Sequence, residues 1–186
     1  MKEVIGITGS PAVGKRTVGK LLARLCSFNF VDGNEVIKSL GVAVENDEFV
    51  VDLEKGKRAF NKIASHGKVI ISSLFLPDLL SSELVDLVVV LRCDPRILYY
   101  RYLKRNYPLL KLKENLTSEF IDYCYVRSLK IFGDEKVVQL DATRRSPQAL
   151  ALKIYKMWEG EERRAKERVD WLSIITSPSD IVRFLI

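Results

Sequence analysis

Near its beginning the chain reads Gly9-Ser10-Pro11-Ala12-Val13-Gly14-Lys15-Arg16-Thr17, directly after the apolar run Val4-Ile5-Gly6-Ile7. Behind this stretch, apolar residues recur at helical spacing, at Val18, Leu21, Leu22 and Leu25. Strand, glycine-bounded loop and amphipathic helix, in that order, form the context in which a G-x4-G-K loop binds phosphate. The pattern is complete except at its end, because Arg16 stands where a serine or threonine is expected and Thr17 follows one place late.

The chemistry of the loop explains why these residue types point to an anion. Gly9 and Gly14 permit backbone angles that turn N–H groups inward, and the helix starting near Lys15 adds its positive dipole end. The bare pattern occurs by chance in roughly one chain of this size in twenty, so the flanking elements carry much of the argument. The residues assigned here to nucleotide binding are Gly9, Ala12, Val13, Gly14, Lys15, Arg16 and Thr17.

Bulk properties indicate one globular domain. The chain has 186 residues, of which 47% are hydrophobic and 29% charged, and no apolar run approaches the ~18 residues of a membrane span. The net charge of +6 favours anionic partners such as nucleotides, RNA or an acidic protein, although a solvated basic surface explains it equally well. Cys26, Cys93 and Cys124 match no metal-site spacing, which predicts reduced thiols. We therefore expect a cytoplasmic protein without a signal peptide or membrane contact, and His66 as a helix-end residue.

Continuous apolar runs alternating with helical patterns predict an α/β fold with a doubly wound parallel sheet. The predicted strands are residues 4–8, 29–31, 68–72, 87–91 and 136–140. The predicted helices after the first are residues 51–65, 95–105 and 118–131, and a further one that starts at Ser146-Pro147. A basic connector is expected between the helices 95–105 and 118–131, and a polar, acidic excursion over residues 33–48.

The end of the chain differs in composition from the rest. Residues 159–170 are highly charged, with Glu159/Arg163 and Glu162/Lys166 at the i, i+4 spacing that supports a solvated helix. Ser177-Pro178-Ser179-Asp180 has the residue order of a helix start, which predicts a short apolar helix over residues 178–185. That helix either docks on its own domain or holds a partner. Residues 1–158 are thus predicted to form the nucleotide-binding domain, and residues 159–186 an extension.

Five basic residues crowd a span that Tyr107-Pro108 divides: Arg101, Lys104, Arg105, Lys111 and Lys113. In a phosphoryl-transfer enzyme, such a span closes over the nucleotide, neutralises charge and excludes water. The alternative is a basic helical surface without a ligand. Because a phosphate loop lies in the same domain, we favour the lid, with Arg101 and Arg105 joining Lys15 as candidate catalytic residues.

Further stretches occur in a fixed order between about residues 4 and 157. They are Thr8–Pro11 with Val13-Gly14-Lys15, Glu48-Phe49-Val50-Val51-Asp52, Val90–Pro95, Leu98–Tyr107 followed by Lys113–Leu116 and Glu119, and Asp141-Ala142-Thr143 followed by Pro147. Together they resemble the adenylate kinase isoenzyme 6 family of nuclear and archaeal nucleotide kinases and ATPases. The stretch from Arg101 to Glu119 is the most specific of them.

This resemblance implies a P-loop, nucleoside-monophosphate-kinase-like fold with five parallel strands. It implies ATP at the P-loop, a monophosphate-binding excursion near residues 33–50 and a lid near 104–114. Arg105 is then the lid residue expected on ATP, and Thr143 lies by the adenine. The activities implied are ATP hydrolysis and ATP:AMP phosphoryl transfer. A role in maturing small-subunit ribosomal RNA, through a ribosomal protein of the uS11 type, is implied as well.

Two departures from the family pattern concern the metal. The hydroxyl that ordinarily follows the P-loop lysine and ligates Mg²⁺ is replaced by Arg16. The acidic residue and the histidine after the third strand are replaced by Ser72-Ser73-Leu74. Nucleotide binding is expected to survive, whereas Mg²⁺-dependent turnover is placed in question and no residue is assigned as a metal ligand. One hypothesis is that the Arg16 guanidinium supplies part of the metal's charge near the phosphates.

Three functions therefore remain open at this stage. The first is an enzyme that transfers phosphate from ATP to AMP, another nucleoside monophosphate or water. The second is a nucleotide-gated assembly factor with little turnover. The third is a small-molecule kinase with a different acceptor, which the acidic character of residues 33–48 disfavours only for a highly anionic acceptor.

Overall fold

A computed structural model describes residues 3–40, 43–45, 48–50, 52–164, 166–177, 179–180 and 184. Its main sheet is parallel, with the strand order β2-β5-β1-β6-β7. These strands are β1 (Val4–Thr8), β2 (Asn29–Asp32), β5 (Val69–Ser72), β6 (Leu87–Arg92) and β7 (Val137–Asp141). The expected α/β, doubly wound, five-stranded architecture is confirmed.

The central strand β1 and its neighbours are buried along their length, because helices cover both faces of the sheet. Ile5 and Ile7 pack on one face with Leu22 of the first helix, and Val4 and Ile71 pack on the other with Phe60. Strands covered on both sides explain the continuous apolar runs in the sequence. The loop after β1 lies at the carboxyl edge of the sheet, where ligands bind in open α/β folds.

The helices connect these strands in the usual α/β manner. They are α1 (Lys15–Cys26), α2 (Gly33–Ser39), α3 (Leu53–Ser65), α4 (Leu76–Leu79), α5 (Pro95–Lys104), α6 (Leu109–Phe120), α7 (Tyr123–Phe132) and α8 (Pro147–Glu159). His66 caps the end of α3, as predicted. In the excursion, α2 precedes the antiparallel pair β3 (Ala43–Glu45) and β4 (Glu48–Val50), while residues 41–42, 46–47 and 51 lie outside the described residues.

The expected basic connector and the expected helix over residues 118–131 were both wrong. The connector is helical, because Leu112 and Leu116 stand one turn apart and are buried. The chain then breaks at Asp122, which has a left-handed φ of 58°, and α7 starts at Tyr123. Ile121, an apolar residue inside the predicted helix, is 56% exposed at this break.

The charged helix predicted over residues 159–170 was wrong as well. Gly160, with φ 79°, ends α8. After it the chain runs beside β7, where Lys166 and Gln139 form a parallel bridge. The i, i+4 pairs expected from the sequence are replaced by pairs of Glu162 with Lys156 and of Lys166 with Asp134.

Of the predicted apolar helix 178–185, residues 179–180 and 184 are helical, and residues 178, 181–183 and 185 lie outside the described residues. Phe184 is buried and meets Tyr99 edge to face, with ring centroids 5.6 Å apart. Of the two alternatives that the sequence left open, this contact supports docking of Phe184 on its own domain. Among the described residues, the three cysteines are free thiols, and no helix combines the length and apolarity needed to cross a membrane.

Candidate nucleotide and acceptor site

The loop between β1 and α1 has the backbone geometry of a phosphate cradle. Gly9, Ala12 and Gly14 have positive φ angles of 134°, 62° and 109°, which turn the chain tightly before α1 begins at Lys15. Val13 is buried beneath the loop, whereas Arg16 and Thr17 are exposed at the helix start. Successive turns of this kind direct backbone N–H groups into one concavity, at the positive end of a helix dipole.

Gly9 lies where a side chain cannot be placed. A Cβ there would stand 2.2 Å from the carbonyl oxygen of Leu91, whereas a Cβ at Gly14 meets nothing within 4 Å. We expect Gly9→Ala to lower the free energy of unfolding by more than about 3 kcal/mol, since backbone strain and a clash with β6 add. Gly14→Ala shares the strain without the clash and is expected to cost about 1 kcal/mol. Urea unfolding measures both, and equal losses would contradict the steric argument.

The ammonium of Lys15 lies inside the loop. Its Nζ donates hydrogen bonds to the carbonyl oxygens of Gly9, at 2.7 Å, and Ser10, at 2.9 Å. Burial lowers the pKa of Lys15 to about 8, against the opposing attraction of Glu119 and Asp32. Carbonyl dipoles thus offset only part of the cost of desolvating this charge. A polyphosphate would supply the missing negative charge, which makes Lys15 a fitting phosphate ligand.

Helix α5 brings two further groups to the loop. Arg101 Nη1 donates to the carbonyl oxygen of Ala12 at 2.9 Å, and the buried Tyr102 hydroxyl donates to that of Pro11 at 2.9 Å. Arg105 ends the same helix and is close enough to Lys15 for its charge to lower the pKa of that lysine. The structure therefore brings together the three cations predicted from the sequence, Lys15, Arg101 and Arg105.

Arg16 is turned toward the end of β2. Its Nε lies 3.2 Å from Asp32 Oδ2 and its Nη2 lies 2.6 Å from Glu35 Oε1. Its charge is thus matched by two carboxylates, of which Asp32 is largely buried. No group of three or more His, Cys, Asp or Glu side chains in the described part of the chain is placed to hold a metal ion.

Thr143 joins two turns at the carboxyl edge of the sheet. Its hydroxyl accepts a hydrogen bond from the N–H of Asp94 at 2.9 Å and donates to Asp141 Oδ1 at 2.5 Å. Thr143 N–H also donates to Asp141 Oδ1. These contacts give Thr143 a role in fixing the turn, and its position beside an adenine stays a prediction.

Sequence reasoning missed a buried hydrogen-bond network centred on Glu119. Ser10 Oγ donates to Glu119 Oε2 at 2.5 Å, and Arg92 Nε and Cys93 N–H donate to Oε1 at 2.7 and 3.1 Å. Arg92 also donates to Gln139 and Asp122. Both Arg92 and Glu119 are 1% exposed. Two features of the sequence could have indicated this network. Arg92 ends the apolar strand β6, and Glu119 follows Leu112 and Leu116 on the buried side of α6.

A cavity of about 570 Å³ adjoins the loop. It is an open cavity, bordered by the start of α1, by α2, by the turn after β5 and by α6. Its walls are Pro11, Lys15, Asn34, Ile37, Lys38, Leu74, Phe75, Tyr107, Lys111, Glu114 and Asn115. One wall thus comes from the predicted excursion and another from the predicted lid, and both polar and aromatic side chains face the space beside Lys15.

Known proteins match this chain over most of its length. A family model described as an AAA domain matches residues 5–122. A protein named "Putative adenylate kinase" from Methanocaldococcus jannaschii is 33% identical over 171 residues, which cover 90% of this chain and 92% of the relative. The chain belongs to the adenylate kinase-like family of this relative. Another member with the same name, from Thermococcus kodakarensis, is 29% identical and covers 92% of this chain and 94% of its own.

Solved structures confirm the fold of this family member. Shikimate kinase from Acinetobacter baumannii, in complex with shikimate, superposes with a TM-score of 0.63 at 18% identity, covering 87% of this chain and 95% of that one. The YorR protein of Bacillus subtilis, in complex with phosphorylated GDP, superposes with a TM-score of 0.61 at 21% identity, covering 85% and 96%. At these identities the likeness establishes the fold alone.

Proposed function

We propose that this protein is an ATP-dependent phosphotransferase whose acceptor is a nucleoside monophosphate, with AMP as the first candidate. One observation carries the proposal. The ammonium of Lys15 lies inside a glycine-bounded loop whose residues Gly9, Ala12 and Gly14 have positive φ angles, and the loop opens onto a cavity of about 570 Å³. The name of the archaeal relatives supports the acceptor class. We place the reaction in the cytoplasm, with ATP as the donor.

The residues divide the work between binding and charge neutralisation. Backbone N–H groups of the loop hold the β- and γ-phosphates, and Lys15 supplies a point charge to them. Arg101 and Arg105 neutralise charge that develops on the transferring group. The acceptor lies in the cavity, where Phe75 and Tyr107 offer faces for a base and Lys38 offers a cation for a phosphate. Phosphoryl transfer needs positioning and electrostatics more than a protein nucleophile.

Any Mg²⁺ in the reaction is proposed to arrive on the nucleotide, because Arg16 occupies the position of the metal-ligating hydroxyl and pairs with Asp32. Arg16→Thr restores that hydroxyl and releases the carboxylate. We expect it to raise the stimulation of turnover by Mg²⁺ several-fold, and Arg24→Thr, an exposed change on the same helix, to have no effect. Initial rates across a series of Mg²⁺ concentrations measure this. An identical metal response in wild type and Arg16→Thr would contradict the role given to Arg16.

Binding of ATP is expected to take up protons near pH 8. The pKa of Lys15 is lowered to about 8 by burial, so about half of the folded molecules carry a neutral lysine at that pH. Phosphate charge raises the pKa again, and uptake of about half a proton should follow, falling to about a tenth at pH 7. Calorimetry in buffers of different ionisation enthalpy measures the uptake. The same value at both pH values would exclude Lys15 as the source.

An acceptor series tests the proposed reaction. ADP formation from ATP is followed with AMP, CMP, GMP, UMP, shikimate, gluconate or no acceptor. A nucleoside monophosphate that accelerates ADP formation at least about tenfold over the rate with no acceptor supports the proposal. Acceleration of ADP formation only by shikimate or gluconate would show that the acceptor is not a nucleoside monophosphate. A rate of ADP formation that no acceptor changes would show that the protein is an ATPase.

A second candidate is the nucleotide-gated assembly role implied by the family resemblance. Exposed apolar side chains around the break before α7, Ile121, Tyr123 and Val126, favour a protein partner. The predicted partners, a small-subunit ribosomal protein of the uS11 type and ribosomal RNA, stay predictions. Titration of purified uS11-type protein, with and without ATP, tests this role, and no binding under either condition would exclude it.

A further inference from the structure

The segment that follows α8 is joined to the edge of the sheet. Glu167 N–H donates to the carbonyl oxygen of Gln139 at 3.1 Å, and Gln139 Nε2 donates to the carbonyl oxygen of Glu167 at 2.7 Å. The Glu167 carboxylate accepts further hydrogen bonds from Arg145 and Lys153. Strand-like pairing and these charged contacts fix the segment beside β7, although the sequence predicted a free helix here.

Four residues later the segment reaches the network beneath the phosphate loop. Trp171 Nε1 donates to Glu119 Oε1 at 3.0 Å, and the other oxygen of the same carboxylate accepts the bond from Ser10 Oγ. Ser10 is also the residue whose carbonyl oxygen accepts from Lys15 Nζ. The Glu119 carboxylate therefore connects Trp171 to the loop, and Ser10 connects that carboxylate to Lys15.

We infer that Trp171 is a positioning residue of the phosphate loop, acting through Glu119 on Ser10. This inference rests on the proposed function only for the identity of the ligand, a polyphosphate. A buried carboxylate keeps its orientation when each of its oxygens is satisfied by donors, and hydrogen bonds in a buried network strengthen one another. Glu119 Oε1 is held from three sides, by Arg92, Cys93 and Trp171, so that Oε2 stays directed at Ser10.

The consequence is that the C-terminal segment sets the affinity of the loop for phosphate. Trp171→Phe keeps the aromatic ring and removes one of the three donors to Glu119 Oε1, so the carboxylate is held less firmly toward Ser10, although Arg92 and Cys93 still bind it. A displacement of Ser10 changes the direction of loop N–H groups and the place of Lys15. We expect ATP binding to weaken about fivefold, a part of what one hydrogen bond to a charged group contributes. If the segment only covered the edge of the sheet, Trp171→Phe would change the free energy of unfolding and leave the affinity for ATP unchanged.

The chain offers a matched control. Trp158 stands on α8 and packs edge to face on Phe28, at 5.9 Å between ring centroids. ATP affinity is measured by calorimetry for wild type, Trp171→Phe and Trp158→Phe, at a temperature where urea titration shows all three to be folded. Weakening about fivefold for Trp171→Phe, with Trp158→Phe within twofold of wild type, supports the inference. Equal affinities in the three proteins overturn it, whereas failure of wild type to bind ATP overturns the proposed function.

A second measurement keeps the inference testable if Trp171→Phe does not fold. The sequence contains two tryptophans, so the Trp158→Phe protein leaves Trp171 as its single indole. ATP is expected to change the emission of Trp171, because the loop and the indole share Glu119, and adenosine, which lacks phosphate, is expected to leave it unchanged. Emission that is insensitive to saturating ATP would overturn the inference.

Discussion

Lys15→Met is expected to weaken ATP binding by about 100-fold or more and to remove measurable phosphoryl transfer. Methionine keeps most of the length of the side chain and loses the ammonium. Charge-assisted hydrogen bonds to phosphate contribute about 1.5–3 kcal/mol each, and loss of two corresponds to about 100-fold or more in the dissociation constant. Calorimetric titration with ATP measures the loss, and Lys20→Met, an exposed change on the same helix, should bind as wild type does.

The stability of Lys15→Met separates a functional loss from an unfolded protein. Burial lowers the pKa of this lysine to about 8, which shows that its charged form is disfavoured where it lies. Removing the charge relieves that cost and loses the bonds to Gly9 and Ser10, so the free energy of unfolding should change by less than about 1 kcal/mol. Retention of tight ATP binding would show that polyphosphate does not bind at this loop.

Arg92→Met is expected to lower the free energy of unfolding by about 3–5 kcal/mol. The guanidinium donates to Glu119, Gln139 and Asp122, and both it and Glu119 are 1% exposed. Its removal leaves a carboxylate buried without its cation, and desolvation of such a charge is costly. Urea-induced unfolding followed by circular dichroism measures the effect.

Arg127→Met provides the control for that experiment. Arg127 pairs with Asp78 at 2.5 Å, but the two side chains are 38% and 25% exposed. Solvent screens the pair, so its removal should cost no more than about 1 kcal/mol. If Arg92→Met cost as little as Arg127→Met, the buried network would not be a stabilising centre of the domain, and the coupling of Trp171 to Ser10 would lose its physical basis.

The strands could be predicted almost to the residue. Parallel strands covered on both faces read as continuous apolar runs, and the runs at 69–72 and 87–92 have no competing interpretation. Helix α8 was equally readable, since Ser146 caps it and Pro147 begins it. The break at Asp122 was not, because it depends on a left-handed residue whose carboxylate binds Arg92, thirty positions away in sequence.

In the site, too, local patterns could be predicted from the sequence, whereas contacts between residues distant in sequence could not. The loop is a local motif, so the turn at Gly9 and Gly14 and the helix start at Lys15 could be predicted from the pattern together with the strand and helix that flank it. The pairing of Arg16 with Asp32, the position of Glu119 below Ser10 and the approach of Trp171 all depend on elements that meet only in the folded chain. Charge spacing in residues 159–170 suggested a helix, yet pairing with the exposed edge of β7 offered the backbone a better set of hydrogen bonds.

Phosphorus NMR of the wild-type protein with equimolar ATP and AMP tests the proposed reaction most directly. Transfer to AMP predicts growth of the two ADP resonances at the expense of ATP and AMP, with little inorganic phosphate, and no such growth for Lys15→Met. Growth of inorganic phosphate with AMP unchanged, or an unchanged ATP spectrum, would contradict transfer to a nucleoside monophosphate.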